Sequence, residues 1–302
     1  MPVLDLTPDG HSEFPGLSRN ITVHSIAAIP HRIPTQAAAG PGVDPAVLAL
    51  MKAHPALGTL SDQDRRALAQ SSKFRFQKRQ DVICRQGEPA SSVVLVLDGY
   101  VKLSVSLADG GEVFIDIARP GDCLNEMLAL RVRTHDASVT ALSPCRLLLI
   151  EAQRFRQAFH QNTEGLLAIL RLTDDRLQRL TEQLVDSRAR TAPARLAKAL
   201  LRLTRLPSIG TAEGTCLPLR ISQGELSIMA GMSREIVNKH LGAWRDAGWI
   251  EMSGGTVASV DVMALSGVSG DDIDFDIESI PYLRPARTGA SHDRADVFRT
   301  LS

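Results

Sequence analysis

Residues 221–250 read ISQGELSIMAGMSREIVNKHLGAWRDAGWI and carry the strongest structural signal in the chain. Ser222 and Glu225 have the spacing of a capping box, in which the serine hydroxyl accepts from an amide of the first turn and the glutamate bonds back to the cap amide. Gly231 suits the left-handed conformation that ends a helix, and Ser233 can cap a second helix. The stretch therefore predicts two helices joined by a tight turn, the helix-turn-helix pattern.

The second predicted helix separates apolar from polar residues. Its buried side is predicted to consist of Ile236, Val237, Leu241 and Trp244. Arg234, Glu235 and Lys239 lie outside this stripe, as does Asn238. Arginine can donate to guanine O6 and N7, glutamate can accept from cytosine N4, and lysine one turn later can reach guanine or a phosphate. Arg234, Glu235 and Lys239 are therefore the predicted base-reading residues of a helix that enters the DNA major groove.

Contacts to the DNA backbone are predicted at the starts of both helices, where free amides and small polar side chains favour phosphate. The predicted set is Ser222, Gln223, Ser233 and Asn238. Two short strands at 250–252 and 256–260 follow the second helix and fit the wing of a winged helix. An ordinary solvated helix face is the alternative, but caps, turn glycine and base-reading side chains coincide here, which favours DNA binding.

Residues 74–150 contain short β-rich runs at 92–97, 100–107, 113–118 and 146–150, separated by turn residues such as Asp109-Gly110-Gly111. Strands at this spacing predict a closed barrel or a sandwich. The predicted fold class is thus α+β: an N-terminal β-barrel or sandwich, a long helix and a C-terminal winged helix-turn-helix.

A heptad-like seam connects these two parts. Its members are Leu166, Leu170, Thr173, Leu177, Leu180 and Leu184, at alternating spacings of four and three residues, with charged residues on both flanks. Such a stripe must be buried, either against the chain's own barrel or against a second copy. We favour a two-fold homodimer, because a DNA-reading module benefits from two copies.

Composition excludes several function classes. Lys plus Arg and Asp plus Glu each number 34, so the net charge is zero, which excludes a protein that coats nucleic acid with its whole surface. The charge is uneven, because residues 188–262 are basic and residues 263–302 are acidic. No apolar run approaches the roughly 20 residues needed to span a bilayer. No signal peptide is recognisable, so we expect a cytoplasmic protein without a membrane partner.

Neither a metal site nor an enzyme is predicted. Cys84, Cys123, Cys145 and Cys216 are scattered and form no C-x-x-C motif. No nucleophile–base constellation and no phosphate-binding glycine loop are recognisable. A cyclic-nucleotide-dependent enzyme or channel subunit would need an appended domain, and the C-terminal residues are too few and too polar. We predict no cofactor apart from an unidentified small-molecule effector.

The whole arrangement resembles the CRP/FNR family of bacterial regulators over about residues 55–262. The resemblance is carried by Gly87-Glu88, DGYVK at 98–102, Pro120-Gly121-Asp122, Asn125-Glu126, ASVTA at 137–141 and, above all, SREIVNK at 233–239. It implies an N-terminal jelly-roll β-barrel of the cyclic-nucleotide-binding type, a long dimerisation helix and a C-terminal winged helix-turn-helix in a sequence-specific transcription regulator. The implied partners are double-stranded DNA, a second copy of the chain and RNA polymerase.

The resemblance also sets the expected domain limits. We expect a disordered arm at 1–45, a sensory barrel with flanking helices at 46–160 and a dimerisation helix at 161–187. The winged helix-turn-helix is expected at 188–262 and a disordered tail at 263–302.

The sensory pocket departs from the family pattern. Cyclic-nucleotide binders of the family carry a glutamate for the ribose and, about ten residues later, an arginine for the phosphate. Glu126 can still accept from a ribose hydroxyl, but the arginine position falls on His135, followed by Asp136, whose carboxylate repels a phosphate. Arg131 or Arg133 could substitute from the same loop. We therefore expect an effector other than cAMP. A cAMP or cyclic di-GMP response through this non-standard pocket, and an interaction module that no longer binds DNA, stay open as alternatives.

Overall fold

The structure is a computed structural model that describes residues 43–130, 134–206 and 216–270. The predicted arm up to residue 42, the effector candidates Arg131 and Arg133, and the predicted tail beyond residue 270 lie outside the described residues. Within those described ranges, no helix is both long enough and apolar enough to cross a membrane.

In the described part of the chain, two short helices precede the sheets. Helix α1 (Pro45–Ala53) is capped by Asp44, whose carboxylate accepts from an amide of the first turn. A 3₁₀ turn (Leu57–Thr59) leads to α2 (Asp62–Ser71), which is capped by Ser61. The Ser61 hydroxyl accepts from a first-turn amide at 3.0 Å. Because first-turn amides have no partner within the helix, such caps determine where a helix starts.

The next part of the chain forms two four-stranded sheets within the described residues. The strands are β1 (Lys73–Gln77), β2 (Val82–Cys84), β3 (Ser92–Asp98), β4 (Val101–Ser106), β5 (Glu112–Ala118), β6 (Cys123–Leu124), β7 (Ser138–Ala141) and β8 (Cys145–Glu151). One sheet has the order β1-β8-β3-β6 and the other β2-β7-β4-β5, and neighbouring strands are antiparallel. The four predicted runs correspond to β3, β4, β5 and β8, whereas the other four strands were not predicted.

Apolar side chains fill the space between the two sheets. The interior cluster includes Ile83, Val94, Val96, Val101, Leu103, Leu124, Val139 and Leu147, which come from both sheets. Alternate residues of β3, such as Val93 and Leu95, point the other way into a second cluster with α1 and the helices that follow the barrel. This alternation is the period of a strand whose two faces are both buried. The predicted barrel is therefore confirmed.

Helix α3 (Ala152–Phe159) and the long helix α4 (Thr163–Ala189) follow the barrel. The Asn162 side chain caps α4 by accepting from the Gly165 amide at 2.8 Å. A side chain at Gly165 would clash with the Phe159 ring, since a Cβ there would lie 2.5 Å from it. Close packing of α3 against the start of α4 thus sets the direction of the long helix. The observed helix begins and ends two residues later than the predicted range 161–187.

The C-terminal domain contains four helices and a three-stranded sheet in its described part. Its elements are α5 (Ala192–Thr204), β9 (Cys216–Ser222), α6 (Gln223–Ala230), α7 (Arg234–Asp246), β10 (Ile250–Ser253), β11 (Thr256–Val260) and α8 (Val262–Ser269). The sheet order is β10-β11-β9, and strand β9 was not predicted. The limit predicted at residue 262 is too early, because α8 buries Leu265 completely in the same core as α5.

A cluster of charges holds α4 to α5. The Asp186 carboxylate lies 2.7 Å from Arg190 Nε, 2.7 Å from Lys198 Nζ and 3.7 Å from Arg202 Nη2. Burial acts to raise the pKa of Asp186, but the hydrogen bonds from Lys198 and Arg190 outweigh it and keep the pKa below its ordinary value. Thr191 occupies the N-cap position of α5, but its side chain forms no cap hydrogen bond. The charge cluster, rather than a cap, therefore fixes this junction.

Candidate nucleic-acid interface

The helix-turn-helix predicted at 221–250 is confirmed. The Ser222 hydroxyl accepts from the Glu225 amide at 3.2 Å, and the Glu225 carboxylate accepts from the Ser222 amide at 2.7 Å, which completes the capping box. Gly231 ends α6 in the left-handed region, with a φ of 61°. The Ser233 hydroxyl then accepts from the Ile236 amide at 3.4 Å and starts α7.

Helix α7 presents its polar residues together on the surface. Val237, Leu241 and Trp244 are buried, whereas Arg234, Glu235, Asn238 and Lys239 are exposed. Ile236 was predicted on the buried side, but its side chain is 40% exposed. At 100° per residue Ile236 lies about 100° from the centre of the buried stripe, too far round the helix to reach the core. The predicted reading face is thus free of the domain's own packing.

The predicted phosphate-contacting residues differ in how available they are. Ser233 and Asn238 are exposed, while Ser222 and Gln223 are half-buried. The Ser222 hydroxyl donates to Glu225 Oε2 at 2.8 Å in addition to its capping role. A hydrogen bond from the Ser233 side chain holds the pKa of Glu235 below its ordinary value, so this carboxylate is an acceptor at neutral pH. An ionised Glu235 suits the amino group of cytosine.

The predicted wing is present and is completed by a strand that was missed. Strands β10 and β11 form the expected hairpin, with Gly254 and Gly255 at positive φ in its turn. Strand β9 adds to the other side of β11 and leads directly into Ser222. The sheet therefore holds the N-terminus of α6 in place. The alternation of Leu217, Leu219 and Ile221 is the sequence signal that could have identified β9.

The loop after β6 places the predicted effector residue Glu126 inside the protein. Asn125 adopts the left-handed conformation, with a φ of 65°, and Glu126 behind it is 5% exposed. Burial raises the pKa of Glu126, and the Arg176 guanidinium of α4 opposes that shift. Arg176 Nη2 lies 3.4 Å from Glu126 Oε1. The carboxylate expected to accept from a ribose is therefore paired with the long helix. Arg176 is one of the charged residues that flank the seam. Its ion pair with Glu126 could not be predicted, because the two residues are 50 positions apart in the sequence.

His135 closes the same loop. Its backbone forms two hydrogen bonds with the β2–β3 connection, at 2.8 Å to the Gly87 amide and 2.9 Å to the Glu88 carbonyl. Its Nδ1 lies 3.3 Å from the Asn125 side-chain oxygen. Burial lowers the pKa of His135, so the ring is neutral at physiological pH. Asp136 beside it is exposed. A neutral ring cannot replace the guanidinium that clasps a cyclic phosphate.

Two family models match the chain. The cyclic nucleotide-binding domain matches residues 74–162, and the Crp-like helix-turn-helix domain matches residues 194–267. The chain is a DNA-binding transcription regulator of the CRP/FNR type. Regulators of this family are not enzymes.

Among curated relatives, the regulator is similar to the CRP-like cAMP-activated global transcriptional regulator of Mycobacterium tuberculosis, with 29% identity over 185 residues, 61% of this chain and 82% of the relative. The cAMP-activated global transcriptional regulator CRP of Pasteurella multocida is 28% identical over 172 residues, 57% of this chain and 82% of the relative. FixK2 from Bradyrhizobium japonicum shares the fold, with a TM-score of 0.56 at 20% identity, over 67% of this chain and 99% of that one. A CRP-family transcriptional regulator from Thermus thermophilus has a TM-score of 0.56 at 23% identity, over 65% of this chain and 97% of that one.

The predicted seam of the regulator lies along α4. Leu166 at the start of the seam packs against the barrel core, whereas Leu170, Leu177 and Leu184 are exposed. Thr173 is exposed and Leu180 is half-buried. The opposite flank of α4 contacts the barrel through polar side chains, for example Gln183, which donates to a carbonyl of β5 at 3.0 Å. Leu170, Leu177 and Leu184 thus form a row of exposed leucines along one face of α4.

The DNA-binding domain of the regulator also contacts the barrel. Tyr100 and Leu142 of the barrel are buried in the apolar core of the C-terminal domain. At the edge of this contact, Arg79 Nη2 lies 3.0 Å from Glu225 Oε2. The Ser222 amide donates to that same oxygen. One oxygen atom therefore serves both the capping box of α6 and the contact between the domains. Arg79 stands in the β1–β2 turn, where no local pattern pointed to this role.

Proposed function

We propose that the regulator binds a pseudo-palindromic DNA site as a homodimer, with one α7 helix in the major groove of each half-site. Arg234, Glu235 and Lys239 contact bases in this proposal. Ser222, Gln223, Ser233 and Asn238 contact phosphates. The two half-sites lie about one helical turn of DNA apart, which is the spacing that two-fold helix-turn-helix dimers require.

The exposed polar face of α7 is the observation that carries this proposal. The three base-reading candidates are exposed on the surface of the helix whose other side is anchored by Val237, Leu241 and Trp244. In the described part of the chain, neither the barrel nor the domain's own core covers them. A rigid helix with free hydrogen-bonding side chains at its N-terminal end is what direct readout in the major groove requires.

Selection of bound sequences from random duplexes with the full-length protein tests this proposal. We expect a two-fold symmetric motif. Arg234→Ala should then weaken binding to the selected site by about 1–3 kcal/mol and relax the preference at one base position. Arg245→Ala is the matched control, because Arg245 is an exposed arginine near the C-terminal end of the same helix and pairs with Asp246 at 3.0 Å. Specific binding that Arg234→Ala leaves intact would refute the assignment of α7.

The exposed and half-buried leucines of the seam support the homodimer. The six seam residues are Leu166, Leu170, Thr173, Leu177, Leu180 and Leu184, and we assign them to the subunit interface. Two copies of α4 paired along this stripe would place two DNA-binding domains on one duplex, each attached through the Asp186 charge cluster.

For the barrel we infer an effector other than cAMP, because the pocket does not offer cAMP the standard contacts of the family. The Glu126–Arg176 ion pair and the neutral His135 support this inference. The second candidate is a cyclic-nucleotide response through a non-standard pocket, which the cAMP-activated relatives favour. Calorimetry of the full-length protein with cAMP and with cyclic di-GMP separates the two. Micromolar binding of cAMP would overturn the first inference, and micromolar binding of either nucleotide would establish the second.

A further inference from the structure

Gly224, the second residue of α6, lies directly against the guanidinium of Arg234. A Cβ at position 224 would lie 2.9 Å from Arg234 Nη2, 3.1 Å from Cζ and 3.2 Å from Nε. Because these three distances are nearly equal, the face of the guanidinium plane rests on the glycine. The N–H groups in that plane therefore point sideways, where they can donate to another molecule.

The backbone at position 224 does not itself require a glycine. Its φ lies outside the left-handed region that excludes other residues. Glycine inside a helix is unfavourable compared with alanine, because it loses more conformational freedom on folding. The reason for a glycine here is thus steric: only a residue without a side chain leaves room for the Arg234 guanidinium.

We propose that Gly224 is a positioning residue for Arg234, which it holds with its donor edge free for a base. This inference rests on the proposed base-reading role of Arg234. A guanidinium placed in advance loses less side-chain entropy when it binds a guanine edge. A side chain at position 224 displaces the guanidinium, because a Cβ at 2.9 Å is closer than carbon atoms come to their neighbours. Binding to the specific site then weakens, whereas non-specific affinity stays unchanged because it depends on phosphate contacts.

Two variants test the proposal in the full-length protein, Gly224→Ala and Gly224→Leu. The matched control is Gly267→Leu, because Gly267 is a helical glycine of α8 with nothing within 4 Å of a Cβ. We expect all three proteins to melt at or above the wild-type temperature. The ratio of specific to non-specific DNA affinity should fall about 5- to 150-fold in Gly224→Leu, the range for losing one bidentate base contact. Gly224→Ala should show a smaller decrease, and the control should show none.

A double-mutant cycle shows whether Gly224 acts through Arg234. In the Arg234→Ala background, Gly224→Leu should cause no further loss, because there is no guanidinium left to displace. An equal loss in both backgrounds, or an unchanged ratio in the single variant, would overturn the proposal.

A readout without DNA separates this proposal from the proposed function. The ¹⁵Nε–¹H heteronuclear relaxation of Arg234 should report an ordered side chain in the wild type and in Gly267→Leu, and a mobile one in Gly224→Leu. Equal mobility in all three would overturn the positioning role even where DNA binding is specific. An ordered Arg234 in a protein that binds no specific DNA would instead refute the proposed function.

Discussion

Replacement of Leu177 by glutamine should separate the two subunits. Leu177 and Leu184 are each 61% exposed in the single chain. Complete burial of a leucine side chain is worth about 1.5–3 kcal/mol, so covering the remaining exposed part gains about 0.9–1.8 kcal/mol. A two-fold interface contains two copies of each residue. Leu177→Gln therefore removes about 1.8–3.6 kcal/mol from dimerisation, which raises the dimer dissociation constant roughly 20- to 400-fold.

Sedimentation equilibrium over a range of protein concentrations measures this change. Met263→Gln is the control, because Met263 is an apolar residue of α8 that is 77% exposed and does not belong to the seam. The control should leave the dissociation constant unchanged, and circular dichroism should show that both variants fold. Leu177→Gln should also weaken binding to a two-half-site duplex more than binding to a single half-site. A dissociation constant within about threefold of the wild-type value would refute the assignment of the seam to the interface.

Two further predictions concern buried ionisable groups of the barrel domain. His54 Nδ1 accepts from the Ala56 and Leu57 amides at 3.2 Å, and burial lowers the pKa of His54 to about 4. Since the unfolded pKa is about 6.5, this contribution to stability is complete above pH 6.5 and is lost towards pH 4, up to about 3 kcal/mol. Urea unfolding between pH 6.5 and pH 4 should show this decrease in the free energy of unfolding. In His54→Asn the free energy of unfolding should depend less steeply on pH, and an equally steep dependence in the variant would contradict the assignment. Arg176→Ala should lower the free energy of unfolding by about 1–3 kcal/mol by leaving the Glu126 carboxylate buried without a cation, and adding Glu126→Gln should restore part of it. Thermal unfolding measures the stability of Arg176→Ala and of the double variant. If Arg176→Ala alone were as stable as the wild type, the ion pair would contribute nothing to stability.

Local signals in the sequence were sufficient for the DNA-binding element. Three local signals define this element: the capping box of Ser222 and Glu225, the helix-ending Gly231 and the cap at Ser233. Each acts over three or four residues, so it can be recognised from neighbouring residues alone. The error at Ile236 shows where this kind of inference stops. A helical period identifies an apolar stripe, but the width of that stripe depends on how closely α6 approaches.

Features that join distant parts of the chain could not be predicted. The pairing of β9 with β11 is one of them, because β11 lies beyond both helices of the helix-turn-helix. The alternation of Leu217, Leu219 and Ile221 can identify the strand but not its partner. The Glu126–Arg176 pair spans 50 positions, and neither residue belongs to a recognisable pattern with the other. Both pairings depend on three-dimensional proximity, which one sequence does not contain. Strand β1 is a different case, because Phe74 and Phe76 alternate with charged residues at the period of a strand, although both rings stay exposed at the edge of the sheet.

The oxygen of Glu225 shared by the capping box and Arg79 has an electrostatic consequence for DNA binding. In the proposed binding mode a phosphate approaches the first turn of α6, where the Glu225 carboxylate already places a negative charge. Arg79 neutralises that charge only while the barrel and the DNA-binding domain stay in contact. Separation of the domains leaves an uncompensated anion next to the incoming phosphate. DNA must then bind the docked arrangement more tightly than the open one, and by thermodynamic linkage whatever loosens the contact also weakens DNA binding.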